Sequence, residues 1–385
     1  MPIRFALVLV FSFALSQATV GRVVANTGSV NAQQSRNWIS QRGDVWVWNR
    51  DENGNSLELT VRGEVEFNDD YTEVKRISNG GSLEIRETRG GARRRLEIEP
   101  GPGGGLNVSY FLDGQSRPYD AEAKAWFARV LDEAVTESGL NAGPRAQKIL
   151  KERGTGGLLD EISRLKSDHV KNLYFQELFK SGSIDARAAT RVIGIAAREM
   201  SSDHYKAQVL GGLPDQVLRD ESTRTAFLQA AGTIRSDHYR AQILLAGLKS
   251  GSLSKESLLL TLKGVGGISS DHYKTQVLLK VADGNLEDSA VRSAYVEAAA
   301  TIGSDHYRSQ ALSSLLSKGA NSKEALLVAL KATAGMSSDH YKAQTLMKLA
   351  GERSNDETIR AALIEAARTI KSDYERGRVL SAIFK

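Results

Sequence analysis

Ser202-Asp203-His204-Tyr205-Lys206-Ala207-Gln208-Val209-Leu210 is followed 34 residues later by Ser236-Asp237-His238-Tyr239-Arg240-Ala241-Gln242-Ile243-Leu244, nearly the same words again. The Ser-Asp-His start occurs at Ser167, Ser202, Ser236, Ser270, Ser304 and Ser338, with a first spacing of 35 and the rest 34, and a shortened Ser372-Asp373-Tyr374 closes the series. A period so regular is the mark of stacked units, none of which can bury an apolar face alone. Within one copy Ser202 suits an N-cap, and Asp203 falls in the first turn, where the helix dipole favours an anion. Tyr205, Val209 and Leu213 then recur on one helical face. A second helix over Thr223–Ile234 places Ala226, Phe227, Ala230, Ala231 and Ile234 on its own face. The pair predicts an α-helical solenoid of two-helix repeats over residues 167–385.

A longer period of 68 lies on top of the first: Arg224, Arg292 and Arg360 match, as do Phe227, Tyr295 and Leu363. The copies between them carry Leu258-Leu259-Leu260 and Leu326-Leu327-Val328. Alternating alanine-rich and leucine-rich second helices would let a thin layer nest against a thick one.

Upstream the period changes to two. Asp44–Trp48, Ser56–Phe67, Thr72–Ile77, Ser82–Thr88, Ala92–Ile98 and Leu106–Leu112 read as antiparallel strands, with Asn79-Gly80-Gly81 and Arg89-Gly90-Gly91 as hairpin turns. Leu83 and Ile85 face the core, and Glu84 and Arg86 face water. Trp46 and Trp48 share a face, read as core, with a carbohydrate platform as the competing use. Arg93-Arg94-Arg95 reads as a solvated part of a hairpin. Ala121–Ser138 and a segment opened by Pro144 are helical, and are expected to cap the first repeat. The fold class is therefore α+β in separate domains: a small antiparallel β-domain over residues 26–118, a helical cap or connector over 119–166, and the solenoid.

Residues 1–25 have the form of a signal peptide, with Arg4 ahead of an apolar run from Phe5 to Leu15, and cleavage is expected after Ala18 or Ala25. Ser16, Gln17, Thr19 and Arg22 make the stretch too polar for a stable membrane span. With no cysteine there is no disulfide framework, thiolate metal site or lipid attachment point, which favours an exported product in a bacterial periplasm or secreted medium. The 51 basic and 46 acidic residues are interspersed, so the net charge of +5 does not imply nucleic acid.

His169, His204, His238, His272, His306 and His340 all occupy one motif position. Facing helices about 8–10 Å apart do not bring such residues within the roughly 2 Å that zinc requires, so no metal or other cofactor is expected. Ser-Asp-His also spells a triad out of order, yet a hydrolase needs one assembled site and an oxyanion hole rather than six copies. The motif is accordingly assigned to the repeat framework: Asp168; Asp203, His204 and Tyr205; Asp237, His238 and Tyr239; Asp271, His272 and Tyr273; Asp305, His306 and Tyr307; Asp339, His340 and Tyr341. Two polar series form a possible binding stripe: Lys206, Arg240, Lys274, Arg308 and Lys342, with Gln208, Gln242, Gln276, Gln310 and Gln344. Asn172–Gln176 looks like an engineered protease tag, but the motif just before it keeps the repeat register. The function expected is a non-enzymatic scaffold for a protein or peptide partner; the alternative is a sensory or regulatory module of envelope signalling.

The repeat length equals that of tetratricopeptide repeats, but their Trp, Leu-Gly and terminal Pro pattern is absent, so the array is TPR-like or HEAT-like only. The Ser-Asp-His-Tyr units resemble repeats in extracytoplasmic regions of uncharacterised bacterial proteins, some joined to BlaR-type membrane metallopeptidases. That resemblance implies a sensor-side or interaction role, and without a His-Glu-x-x-His motif it does not carry the peptidase over. Gly43-Asp44-Val45 and the strands after it are similar to sheet-forming regions of putative adhesins.

Overall fold

The computed structural model describes residues 36–249, 253–283, 286–318, 323–353 and 356–384. The leader expected over residues 1–25 lies outside them. An antiparallel sheet comes first. Its strands are β1 (Arg36–Arg42), β2 (Val45–Glu52), β3 (Asn55–Arg62), β4 (Val65–Phe67), β5 (Val74–Ile77), β6 (Ser82–Arg89), β7 (Ala92–Pro100), β8 (Leu106–Leu112) and β9 (Gln115–Arg117). Seven of them form one sheet in the order β1-β2-β3-β6-β7-β8-β9, and β4 and β5 pair separately.

The turns explain this topology. Arg89 pairs with Ala92 across Gly90 and Gly91, at φ 58° and 83°, the conformation a two-residue primed turn requires. Asn53-Gly54 and Asp113-Gly114 make two more turns of the same kind. The expected single strand Ser56–Phe67 is instead two, because the chain turns at Gly63 (φ 66°), where a Cβ would meet Ser78 Oγ at 2.7 Å. Asn79-Gly80-Gly81 consequently links the small pair to the main sheet and closes no hairpin, since β6 pairs with β3.

One face of the sheet is covered by α1 (Ala121–Glu133). Asp120 caps it, accepting from the amides of Glu122 and Ala123 at 3.1 Å each. Trp126, Phe127, Val130 and Leu131 then meet Trp48, Leu57, Leu59, Ile85 and Leu96 in one buried cluster. Trp48 is wholly buried and offers no ring to a sugar, while Trp46 packs beside the same cluster and is half-buried. Glu87 is also buried there, held by Trp126 Nε1 at 2.7 Å and by Arg129 at 2.7 and 2.8 Å. Thus α1 belongs to the sheet's core rather than capping the first repeat.

The chain then passes Gly139 (φ 75°) and Asn141 (φ 55°) into α2 (Ala142–Arg164), which Gly154 breaks midway at φ 63°. From α2 onward every buried hydrophobic side chain among the described residues joins a second continuous core. The remaining helices are α3 (Asp168–Lys180), α4 (Ala186–Glu199), α5 (Asp203–Gly211), α6 (Glu221–Ala231), α7 (Asp237–Gly247), α8 (Lys255–Gly266), α9 (Asp271–Ala282), α10 (Ser289–Ala300), α11 (Asp305–Lys318), α12 (Lys323–Ala334), α13 (Asp339–Arg353), α14 (Glu357–Arg368) and α15 (Asp373–Ile383). They form two layers. The odd-numbered helices from α3 onward carry the motif and pack side by side, and the even-numbered ones from α2 do likewise. Asn172, Tyr174 and Phe175 are buried in α3, so this segment belongs to the packed array and not to an appended tag.

The longer period is visible in the even layer. Phe227, Tyr295 and Leu363 alternate with Thr261 and Ala329 at the same register, and all five are wholly buried. A bulky side chain on one helix faces a small one on the next, which fills the layer without overpacking. Tyr295 is accommodated because its hydroxyl donates to Ala311 O at 2.9 Å.

The two cores meet through the β4–β5 connection. Tyr71, at φ 56°, receives the Asn141 amide on its hydroxyl at 2.8 Å, while the Arg145 guanidinium lies 5.1 Å from its ring centre. Arg145 continues inward to Glu161 (2.7 Å) and Tyr174 (2.9 Å). Among the described residues no helix is long and apolar enough to cross a membrane.

Candidate functional site

Each motif helix begins where its sequence says. Ser167, Ser202 and Ser372 cap their helices, accepting from the amides of Val170, Tyr205 and Glu375. The aspartate that follows acts on a different partner from the one its position suggests. Its carboxylate reaches forward to the next copy and accepts the two backbone N–H groups that precede the next motif helix. Asp168 takes Ser201 and Ser202 at 2.8 and 2.7 Å; Asp203 takes Arg235 and Ser236 at 3.0 and 2.8 Å. Asp237, Asp271, Asp305 and Asp339 repeat the clamp, down to Ser372 N at 2.7 Å. Those two bonds, from Ser372 first and then Lys371, hold the Asp339 carboxyl below the usual carboxylate range. Asp373, with no following copy among the described residues, turns to Arg376 of its own helix.

Histidine and tyrosine form a second inter-repeat chain. Each histidine ring packs against the tyrosine of the next copy: His204 against Tyr239, His238 against Tyr273, His272 against Tyr307 and His306 against Tyr341, with ring centres 5.4–5.8 Å apart. His204 Nδ1 shares a hydrogen bond with Tyr239 Oη at 2.8 Å, and His169 Nδ1 with Tyr205 Oη at 3.1 Å. In the last copy glutamate replaces tyrosine, and His340 Nδ1 meets Glu375 Oε1 at 3.2 Å instead. Burial lowers the pKa of His169, which is partly covered, whereas His204, His238, His272, His306 and His340 are exposed.

The two polar series of the expected stripe part company. Lys206, Lys274 and Lys342 are buried, and Arg240 and Arg308 are half-buried. The heads of four of them serve as caps. Lys274 Nζ donates to Thr301 O and Lys342 Nζ to Thr369 O, each at 3.1 Å. Arg240 Nε donates to Ile234 O at 2.7 Å and Arg308 Nε to Ile302 O at 2.9 Å, while their outer nitrogens reach Gly267 O and Gly335 O of the next even-layer helix. Cations at helix C-termini satisfy carbonyls that would otherwise be orphaned. Lys171 and Arg376, at the same motif position in the first and last copies, do the same to Ile162 O and Ile370 O.

Gln208, Gln242, Gln276, Gln310 and Gln344 remain exposed, one turn after the exposed histidines. Gln276 donates to His272 Nε2 at 3.0 Å and Gln310 to His306 Nε2 at 3.1 Å. The surface of the odd layer thus carries a ladder of His–Gln rungs. Among the described residues no three His, Cys, Asp or Glu side chains gather to hold a metal ion. The aspartate of every Ser-Asp-His copy is engaged with the following copy, so Ser, Asp and His of one motif do not form a relay.

The forward clamp and the cation caps were not apparent from the sequence. Their signal is the invariance of Asp and Lys/Arg through all seven copies, including the last, which loses both His and Tyr at their motif positions. Comparison with known proteins finds no matching family model, no matching curated protein and no matching solved structure.

Proposed function

We propose that the chain is a non-enzymatic, exported scaffold that binds an extended peptide segment of a partner protein along the His–Gln face of the odd layer, with the β-domain as a second contact module. The observation that carries this reading is the division of labour within the motif. Asp, Tyr and Lys/Arg are taken up by the framework, and Gln with the outer edge of His is left facing solvent at a fixed interval. A glutamine amide offers one acceptor and two donors, which matches the donor and acceptor of a peptide group. Packed helices stand about 8–10 Å apart and an extended chain rises roughly 3.3 Å per residue, so successive rungs fall in step with every third residue of a bound strand. The leader-like N-terminal sequence and the resemblance of the repeats to extracytoplasmic regions support an envelope setting.

The test is selection of a displayed random-peptide library on the purified chain, followed by titration of the enriched peptides. Changing Gln242, Gln276, Gln310 and Gln344 together to Ala should weaken them at least tenfold with no change in melting temperature; Gln208 is kept, because its Oε1 accepts from the buried Asn172 amide at 2.9 Å. Enriched peptides that bind the variant equally well would overturn the assignment of this face.

A further inference from the structure

We infer that the open face of the sheet is a binding site for a monosaccharide-sized polyhydroxylated acid, with its anionic group on Arg93 and Arg95. The register of the sheet builds the site. Asn49, Glu58, Arg86, Arg95 and Phe111 pair in sequence across β2, β3, β6, β7 and β8, forming one lateral row on the face opposite α1. Ser56, Thr88 and Arg93 form the next row. Together they line a hollow of about 620 Å³, within the span of roughly 300–1,000 Å³ typical of small-ligand sites.

Three features point to an anion with hydroxyls rather than a merely solvated sheet. First, Arg86 and Arg95 stand directly opposite one another, and like charges in that position oppose pairing of the strands. Each is drawn along its own strand to a carboxylate: Arg86 to Glu84 at 2.5 Å and Arg95 to Glu97 at 3.3 Å, with Arg95 also lying 4.3 Å from the Phe111 ring centre. Second, Arg93, two residues from Arg95 on the same face, is exposed and has no ion pair among the described residues. Third, the side chains of Asn49, Ser56, Glu58 and Thr88 form no hydrogen bond among the described residues, although they line the hollow.

The arrangement is asymmetric, and this sets the class of ligand. Arg93 and Arg95 sit on β7, towards one side, and offer planar forks suited to a carboxylate or phosphate. Asn49 and Glu58 sit on β2 and β3, on the other side, where a carboxylate would repel an anion but accept from hydroxyls. Ser56 and Thr88 lie beside the path between them. A sugar acid or a sugar phosphate satisfies both ends, while a dianion with charges at both ends would meet Glu58.

The purified chain should be titrated with glucuronate, glucose 6-phosphate, glucose and inorganic phosphate, followed by NMR shifts of the β-domain amides. Glucuronate or glucose 6-phosphate is expected to bind, with shifts centred on β6, β7 and β8; which of the two binds tighter identifies carboxylate or phosphate as the preferred anion. Glucose and phosphate alone should bind at least tenfold more weakly. Arg93→Gln should reduce the affinity about tenfold or more, and Ser56→Ala with Thr88→Ala by a smaller factor, both with unchanged circular dichroism and melting. Absence of binding by both acids, phosphate alone binding as tightly as either, or an Arg93→Gln affinity equal to that of the wild type would each overturn the proposal.

Discussion

Asp271 tests whether the repeats are held together by their aspartates or merely capped by them. Its carboxylate accepts from Gly303 N at 3.1 Å and Ser304 N at 2.8 Å, using one oxygen for each. A hydrogen bond to a charged group is worth about 1.5–3 kcal/mol net, and the lower end applies here because Gly303 is exposed and Asp271 only half-buried. Water will replace part of what is lost. Asp271→Ala should therefore cost about 2 kcal/mol in urea unfolding, with a further contribution of about 0.3–1 kcal/mol from the first turn of α9. Asp271→Asn keeps one acceptor and turns an NH₂ towards the other backbone N–H, so it should cost about half as much. The decisive assay is residue-resolved hydrogen exchange. If the clamp spans two copies, the Ser304 amide, 33 residues from the substitution, loses protection before α9 itself opens. Unchanged exchange at Ser304, with a loss near the 0.3–1 kcal/mol of a dipole effect, would refute the clamp and leave the aspartate as a helix-start residue.

Arg129→Leu leaves the buried Glu87 carboxylate with Trp126 Nε1 and the more distant Arg89 guanidinium at 3.9 Å, and should destabilise the β-domain by about 2–3 kcal/mol, less than for a dry pair because Arg129 stays about a third exposed; Trp126 fluorescence during denaturation reads it out. A fragment of residues 141–385 should fold, and one of residues 167–385 should melt lower, because Leu158, Leu159 and Ile162 of α2 belong to the core of the array; equal melting temperatures would count against α2 as its first helix. His169 has its pKa lowered by burial, so the unfolded chain binds the extra proton first. Its contribution is intact above about pH 6.5 and falls as pH drops towards the folded value, and His169→Gln should flatten that part of a melting-temperature profile. Asp339 is also lowered, so its contribution holds above about pH 3.9 and is lost as pH falls through the folded value; Asp339→Asn should flatten the acid limb of the same profile.

The array was legible because a period of 34 leaves little freedom: identical units must stack identically, and i, i+4 spacing within Tyr205, Val209 and Leu213 fixes which face turns inward. The sheet was legible where alternation was clean, as in Leu83–Ile85, and where glycine gave a turn its positive φ at Gly90-Gly91. It was misread where one residue decides between continuation and reversal. Gly63 splits an apparently continuous strand because its neighbour Ser78 leaves no room for a Cβ, a fact about residue 78 that the local pattern around residue 63 does not contain. Likewise Trp126 and Phe127 have the helical spacing of any amphipathic segment, and period alone does not say whether the partner is a sheet before it or a helix after it.

The motif shows the same limit in a sharper form. Read along one copy, Ser-Asp at a helix start has a local explanation, so nothing prompts a search for another. In a solenoid, however, residue i lies beside residue i+33 as surely as beside i+4, and a carboxylate at the start of one helix faces the backbone that leads into the next. The local reading assigned Asp to its own dipole and Lys206 to an outward stripe; stacking turns the first into a clamp and draws the second inward. What survives on the surface is whatever stacking does not need. That is why the glutamines, whose sequence signal is no stronger than that of their basic neighbours, are the part of the motif that stays exposed, and the part on which the proposed peptide site rests.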